Sequence, residues 1–149
     1  MPLRGALALS WLAVLACHRE TSGPPRKMWF EAEIGGTLSG ARADARRVLF
    51  VAVEPCDPDR IELTRTVAIA FLAPGSNGAF ETEAAARDGS SFYVCAFAVD
   101  GEDRMVAFGQ YDRNPVVVHA AARAEIEIGG VDVLLASREP RQLPRGQYR

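Results

Sequence analysis

The sequence predicts an all-β protein: a single antiparallel β-sandwich of about seven to nine short strands. Short apolar runs recur between residues 28 and 136, and Gly, Pro, Asn and Asp separate them. No window combines apolar residues at helical spacing with capping signals. A chain of 149 residues that is 48% hydrophobic is large enough for one core, so one domain is expected.

The predicted strands follow one another with turn residues between them. In residues 28–34 apolar side chains alternate with Glu31 and Glu33, until Gly35 and Gly36 interrupt the pattern. The remaining predicted strands cover 47–54, 66–72, 78–84, 91–99, 105–109, 115–120, 123–129 and 131–136. A small barrel is the second choice of architecture for such a series.

Residues 91–99 are predicted to form a central strand of the domain. Tyr93, Cys95 and Phe97 lie on one face, and the intervening residues on the other face are apolar as well. A strand that is apolar on both faces is buried on both faces. We therefore expect Cys95 to be buried.

The first sixteen residues have the three parts of a secretory signal. Arg4 supplies the positive charge, residues 5–16 supply the apolar segment, and the small residue Ala16 precedes the cleavage point. A helix of residues 5–16 would be about 18 Å long, whereas the hydrocarbon core of a bilayer is about 30 Å thick. Residues 1–16 are therefore predicted to be a signal peptide that is removed after Ala16, so that the protein is exported.

The segment Val14-Leu15-Ala16-Cys17 resembles the lipobox of bacterial lipoproteins. The resemblance implies that the thiol of Cys17 receives a diacylglycerol, that the signal is cut between Ala16 and Cys17, and that the new amino terminus is acylated. Two or three acyl chains hold a protein firmly at a membrane, whereas a single chain binds marginally. The membrane would then be a partner of the protein through its lipid anchor.

Two points about export remain open in the sequence. A general signal peptidase would cut at the same bond and leave Cys17 unmodified, which predicts a secreted soluble protein. Within the lipoprotein family, an Asp after the lipidated cysteine retains some proteins at the inner membrane. Here the residue is His18, which favours the outer membrane of a bacterial envelope.

The cysteine count supports the same interpretation. Three cysteines in an exported chain leave one unpaired, which is a liability in an oxidising compartment. If Cys17 carries lipid, Cys56 and Cys95 remain as a candidate disulfide. Two buried free thiols are the alternative. A zinc site is less favoured, because His119 is the only histidine between residues 28 and 137.

Polar segments flank the predicted domain. Residues 17–27 contain the lipidation site and a polar, Pro-containing tether, of which ten residues reach about 33 Å when extended. Residues 28–137 form the predicted domain, and residues 138–149 form a basic tail that is expected to be disordered. The net charge of −2 excludes the strongly basic surface of a non-specific nucleic-acid binder. An envelope protein or polymer is a candidate partner.

Part of the domain resembles known sandwich modules. Residues 34–40, 48–53, 77–80 and 92–97 are similar, in order and motif, to the transthyretin-like or carboxypeptidase-regulatory-like domains. Those modules run strand, strand, a Gly-x-Phe hairpin and a core strand. The resemblance implies an immunoglobulin-like or transthyretin-like sandwich with a non-catalytic accessory role, which agrees with a binding or structural function for the whole protein.

Paired carboxylates are the strongest indication of catalysis in the sequence. Each pair sits at spacing two on a predicted strand, which points both acids to one face: Glu31/Glu33, Glu81/Glu83 and Glu125/Glu127. Glycoside hydrolysis uses two carboxylates in this way. A solvated sheet face has the same pattern, so a small hydrolase is retained only as the alternative function. Clustering of these residues around a concave pocket would favour it.

Other candidate sites are weaker. Asp100, Glu102 and Asp103 superficially resemble a Ca²⁺ loop, but the EF-hand order is absent and Arg104 opposes a cation, so a hairpin turn is preferred. His119 lies among valines, where a surface or satisfied core histidine is more common than a catalytic base. No catalytic residue, metal or cofactor is therefore predicted.

Overall fold

The computed structural model describes residues 29–119 and 125–144, with the backbone alone for Glu125. Its secondary structure is almost entirely β, with one turn of 3₁₀ helix at Leu63–Arg65. The eight strands are β1 Trp29–Gly40, β2 Arg46–Ala52, β3 Thr66–Leu72, β4 Ala79–Arg87, β5 Ser91–Val99, β6 Arg104–Gln110, β7 Val116–Val117 and β8 Glu125–Gln142. The predicted all-β class is confirmed, and β3 and β5 have the predicted bounds.

The strands form one curled sheet that is nearly closed into a barrel-like shape. Neighbours pair in the order β3-β2-β5-β6-β8-β1-β4, and β7 pairs with β5. Strands β3 and β4, at the two ends of this order, lie side by side without a backbone ladder. One sheet therefore wraps around the core, with a seam between β3 and β4 that has no ladder, where the sequence suggested two packed sheets.

Strand β8 joins β1 to β6 within this sheet. It runs for 18 residues, pairs with β1 along residues 125–135 and pairs with β6 along residues 136–142. The sequence pattern predicts two strands in this segment, at 123–129 and 131–136, separated at Gly129 and Gly130. That division is corrected: the two glycines form a bulge, with Gly130 at φ +69°, and the strand continues beyond it.

The carboxyl-terminal boundary of the domain is also corrected. Residues 138–142, which were expected to begin a disordered tail, are the last part of β8. Arg141 lies opposite Met105, and its guanidinium donates to Asp59 at 2.9 Å. Leu143 is buried against the core. Arg138 and Arg141 make this segment resemble a polar tail in the sequence. In the structure their exposed side chains bind Asp59, which is distant in the chain.

Strand β1 extends past its predicted end. Gly35 and Gly36 do not break the strand, which continues to Gly40. A Cβ atom on Gly36 would clash with the backbone of Val131, so the glycine allows β1 and β8 to approach closely. The β1–β8 ladder is parallel, which corrects the expectation of a purely antiparallel arrangement.

Strand β7 is shorter than predicted. The apolar run at 115–120 contributes only Val116 and Val117 to a ladder, and both lie opposite the start of β5. Just before β7, the side chain of Asn114 bonds to the backbone of β5 in the way that a neighbouring strand would. Its Oδ1 accepts from the N–H of Val94 at 2.9 Å, and its Nδ2 donates to the carbonyl of Val94 at 3.0 Å.

The core has an inner and an outer layer. The largest buried residues of the inner layer are Ile34, Leu38, Leu49, Val51, Leu72, Phe80, Phe92, Val94, Val106, Val118, Val131, Val133 and Leu135. The outer layer covers the opposite face of β2, β5 and β6 and comprises Val48, Phe50, Ile61, Leu63, Cys95, Phe97, Val99, Met105 and Leu143. Burial on both faces confirms that β5 is a central strand with Cys95 inside.

The strands define two ends of the domain. At the Trp29 end, strands β1, β3, β5 and β8 begin and strands β2, β4 and β6 finish. At the opposite end lie residues 41–45, the loop at 73–78, the turn at 100–103 and the last residues of β8. The segment that precedes Trp29 therefore joins the domain at the Trp29 end.

Candidate functional site

The predicted signal, cleavage and lipidation residues, Ala16 and Cys17 among them, lie outside the described residues. The tether at 17–27 lies outside them as well. The described residues therefore contain none of these predicted sites and show only the domain that follows them in the chain.

Cys56 and Cys95 are joined in a disulfide, with their Cα atoms 6.5 Å apart and a sequence separation of 39. The predicted pairing is confirmed. Cys95 belongs to the central strand β5, and Cys56 belongs to the loop that follows β2. The bond holds residues 53–62 against the outer layer of the core. On the chain-entropy estimate, closing a loop of this length contributes about 3 to 4 kcal/mol.

A second attachment holds the same loop. Asp59 accepts a hydrogen bond from Arg141 at 2.9 Å and lies 3.9 Å from Arg138, both of β8. Between the loop and β2 is a cavity of about 360 Å³. It is lined by apolar residues, including Phe50 and Ile61, and by charged residues at its rim. Arg65 at this rim is paired with Glu54 at 2.6 Å.

The predicted carboxylates come together on the outward side of β4, β1 and β8, which we call the acidic face. Its members with described side chains are Glu31, Glu33, Glu81, Glu83, Glu127 and Asp132. Glu33 lies opposite Glu83 on one side and opposite Glu127 on the other. The backbone of Glu125 lies opposite Glu31 in the same way.

Within the acidic face, Glu31 and Glu83 interact directly. The side-chain hydrogen bond with Glu31 and the negative charge of that residue raise the pKa of Glu83 above its ordinary value of 4.5. Desolvation and the charges of Glu33 and Glu81 act in the same direction. A proton shared between neighbouring carboxyl groups relieves like-charge repulsion.

The acidic face is a surface and does not enclose a substrate. Glu31 and Glu83 are exposed to solvent, and the acidic face lines neither of the two cavities described here. An enzyme that uses two carboxylates requires a cleft that excludes water around the reacting bond. The predicted residues therefore do cluster, but they lie on an exposed face of the sheet and not around a concave pocket.

The sequence pattern predicts each pair of glutamates but not the assembly of the three pairs on one face. Alternation shows that both members of a pair share a face of one strand. Which strands are neighbours depends on β1 lying between β4 and β8, and the parallel β1–β8 ladder joins segments about ninety residues apart. The negative patch is therefore a consequence of strand order.

The candidate metal residues at 100–103 form a hairpin turn, as preferred. Asp100 accepts hydrogen bonds from the N–H groups of Glu102 and Arg104 at 2.9 and 3.0 Å. The Arg104 backbone N–H is the main cause of a lowered pKa for Asp100. The Arg104 guanidinium also contacts Asp100 and Glu102, and Arg46 lies 3.3 Å from Asp103.

Arginines therefore occupy the carboxylate oxygens that a cation would need. A cavity of about 470 Å³ beside this turn is lined by both acidic and basic residues, among them Asp100 and Arg46. Within residues 29–119 and 125–144, no group of three or more His, Cys, Asp or Glu side chains is arranged to hold a metal ion.

One close contact on the surface has no signal in the sequence. The guanidinium of Arg87, at the end of β4, lies over the ring of Trp29 with its central carbon 4.1 Å from the ring centroid. The two residues are partners in the β1–β4 register. His119 is exposed just beyond buried Val118, which agrees with a surface histidine.

Three comparisons with known proteins found nothing similar. No protein-family model, no curated protein sequence and no solved structure matches this chain. Among the described residues, no helix is long and apolar enough to cross a membrane.

Proposed function

We propose that the protein is an exported bacterial lipoprotein. Cys17 is its lipid anchor, and the β-domain has a non-catalytic binding or structural role at the cell envelope, with the outer membrane as its location. The resemblance of Val14-Leu15-Ala16-Cys17 to a lipobox, behind a short apolar segment and a positive charge, is its basis in the sequence.

The pairing of Cys56 with Cys95 is the structural observation that carries this proposal. A structural disulfide is typical of exported proteins and rare in the cytosol. Because two of the three cysteines bond to each other, Cys17 is left as the odd one, at the end of the apolar segment. A thioether to lipid removes the reactive thiol that an exported chain would otherwise carry.

The decisive experiment is metabolic labelling with a radioactive fatty acid in a bacterial host. The wild-type chain is expected to incorporate label and to be cut before Cys17, whereas Cys17→Ala should lose the label and accumulate as uncut precursor. The double variant Cys56→Ala/Cys95→Ala is the matched control, since it removes two cysteines and should keep the label. A Cys17→Ala protein that is cut normally and stays on the membrane would contradict the anchor.

The same experiment tests the secreted alternative. If a general signal peptidase removes residues 1–16, the mature wild-type protein carries no label and begins with a free thiol at Cys17. Mass spectrometry of the amino-terminal peptide distinguishes this product from a diacylglyceryl cysteine. That result would replace the lipoprotein by a soluble exported protein.

A carboxylate-dependent hydrolase is the second candidate, and the grouping of Glu31 and Glu83 on one face, where Glu31 raises the pKa of Glu83, is the observation in its favour. Glycoside cleavage uses one carboxyl group as an acid beside a second carboxylate. Turnover of a panel of chromogenic glycosides that is lost in Glu83→Gln, but retained in Glu139→Gln, would establish it. The exposed position of both groups favours the non-catalytic role.

A further inference from the structure

The large apolar side chains that remain exposed are unevenly distributed. Among the described residues there are six of them, namely Trp29, Val53, Val67, Phe71, Val117 and Leu134. Single exposed apolar residues are common on protein surfaces and require no explanation. Several at one end of a domain are informative when another observation indicates what that end contacts.

Four of the six lie at the Trp29 end. Trp29 begins β1, and Val67 is the second residue of β3. Val53 directly follows the last residue of β2, and Val117 lies opposite the first residue of β5. All four positions follow from strand direction, since β1, β3 and β5 begin at this end and β2 finishes there.

The opposite end has fewer exposed apolar residues. Its loops carry charged side chains in pairs: Arg42 lies 3.2 Å from Asp44, and Arg46 lies 3.3 Å from Asp103. Phe71, the sixth residue of β3, is about 17 Å along the strand from the Trp29 end. Leu134 lies opposite Ser39, close to the end of β1, and so also lies toward the opposite end. Charged pairs occur at the Trp29 end too, where Arg65 lies 2.6 Å from Glu54, so this end is distinguished by its four exposed apolar residues and not by a lack of charge.

Trp29 and Arg87 together suit a lipid head-group region. Tryptophan is enriched at membrane interfaces, where its ring is apolar and its N–H meets polar groups. Arginine binds phosphate through several N–H donors, and it does so while stacked on an aromatic ring. In this domain the Arg87 guanidinium is held over the Trp29 ring at the end of two paired strands.

We propose that the Trp29 end is the membrane-contacting face of the domain, with Trp29, Val53, Val67 and Val117 entering the head-group region of a phospholipid surface. This inference rests on the proposed lipid anchor at Cys17. The occupant is indicated by the chain itself, because the segment that follows Cys17 joins the domain at this end. Eleven residues separate Cys17 from Trp29, so the anchor keeps this end within about 40 Å of the membrane.

Tryptophan fluorescence tests the proposal directly. The other tryptophan, Trp11, lies in the predicted signal, so Trp29 is the single tryptophan after cleavage. The full-length lipidated protein is reconstituted into phosphatidylcholine vesicles with and without brominated acyl chains. Bromine quenches indoles at short range, and Trp29 in contact with lipid is expected to lose about half of its emission.

A matched control uses the exposed phenylalanine of the same sheet. Phe71 is 56% exposed and Trp29 is 61% exposed, so Trp29→Phe/Phe71→Trp moves the only tryptophan to an equally accessible site away from the Trp29 end. Its emission is expected to stay within about a tenth of the value in unbrominated vesicles. If this variant does not fold, Trp29→Phe/Leu134→Trp replaces it.

Flotation of the vesicles separates the two proposals. Protein that floats and shows selective quenching of Trp29 supports the membrane-contacting face. Protein that floats without quenching, or with equal quenching at position 71, overturns that face and leaves the lipid anchor intact. Protein that carries no lipid and fails to float overturns the anchor and the inference that rests on it.

Discussion

Arg47 donates two hydrogen bonds to Ser76, one to its carbonyl at 2.8 Å and one to its hydroxyl at 2.7 Å. Only 2% of the arginine is exposed. A third bond, at 3.4 Å, runs from its guanidinium to the carbonyl of Leu38. One side chain of β2 therefore joins the end of β1 to the loop between β3 and β4, where the barrel-like sheet would otherwise be open.

Replacement of Arg47 by alanine is expected to lower the free energy of unfolding by about 2 to 4 kcal/mol. The change removes three charge-assisted hydrogen bonds, among them the bonds to the buried carbonyl of Leu38 and to the half-buried carbonyl of Ser76. Arg42→Ala is the matched control: that arginine is exposed, and its pair with Asp44 should contribute less than about 1 kcal/mol. Equal stabilities of the two variants in urea titrations would contradict the role of Arg47.

Glu83 should make stability depend on pH. Its raised pKa means that the folded state holds this proton more tightly than the unfolded state. The contribution is complete below the ordinary value of 4.5 and is lost as the pH rises through the raised pKa of the folded state. Glu83→Gln should therefore flatten the fall in stability above pH 4.5, and Glu139→Gln should leave it unchanged.

Asp100 should also make stability depend on pH, but in a lower pH range and in the opposite direction. Its pKa is lowered, chiefly by the backbone N–H of Arg104, so the stabilisation is present above the ordinary value of 3.8 and is lost as the pH falls further. Denaturant titrations below pH 4 should show this loss in the wild type and a smaller one in Asp100→Asn. A loss of the same size in both proteins would exclude Asp100 as the cause.

Removal of the disulfide should destabilise the domain without changing its fold. The free energy of unfolding of Cys56→Ala/Cys95→Ala is expected to be about 3 to 4 kcal/mol lower than that of the oxidised wild type. The wild type with reduced cysteines should behave similarly. Thiol titration of the unfolded, unreduced mature protein should find neither cysteine free. Two free thiols in that titration would show that the bond does not form.

Gly36 tests the close approach of β1 and β8. Gly36→Ala should cost about 3 kcal/mol, because the new methyl group would overlap the backbone of Val131. Gly129→Ala is the control, since a Cβ at that position meets nothing within 4 Å. Chemical denaturation compares the two; similar stabilities would indicate that the strands separate without penalty.

The sequence by itself determined the all-β class, the central strand at 91–99 and the even pair Cys56 and Cys95. It did so because alternation, apolar runs and cysteine count are local or compositional properties. The solvated nature of the turn at 100–103 was predictable for the same reason, since Arg104 stands beside the acids that a cation would need.

Tertiary structure alone decided how the strands close and what their outer faces carry. The parallel β1–β8 ladder, the strand at 138–142 and the contact between Trp29 and Arg87 each join residues distant in the chain, and no periodicity encodes such a partner. Glycine at position 36 was ambiguous in the sequence, because the same residue interrupts a pattern or admits a neighbouring backbone. The acidic face and the apolar Trp29 end exist only because strand order and direction bring their residues together.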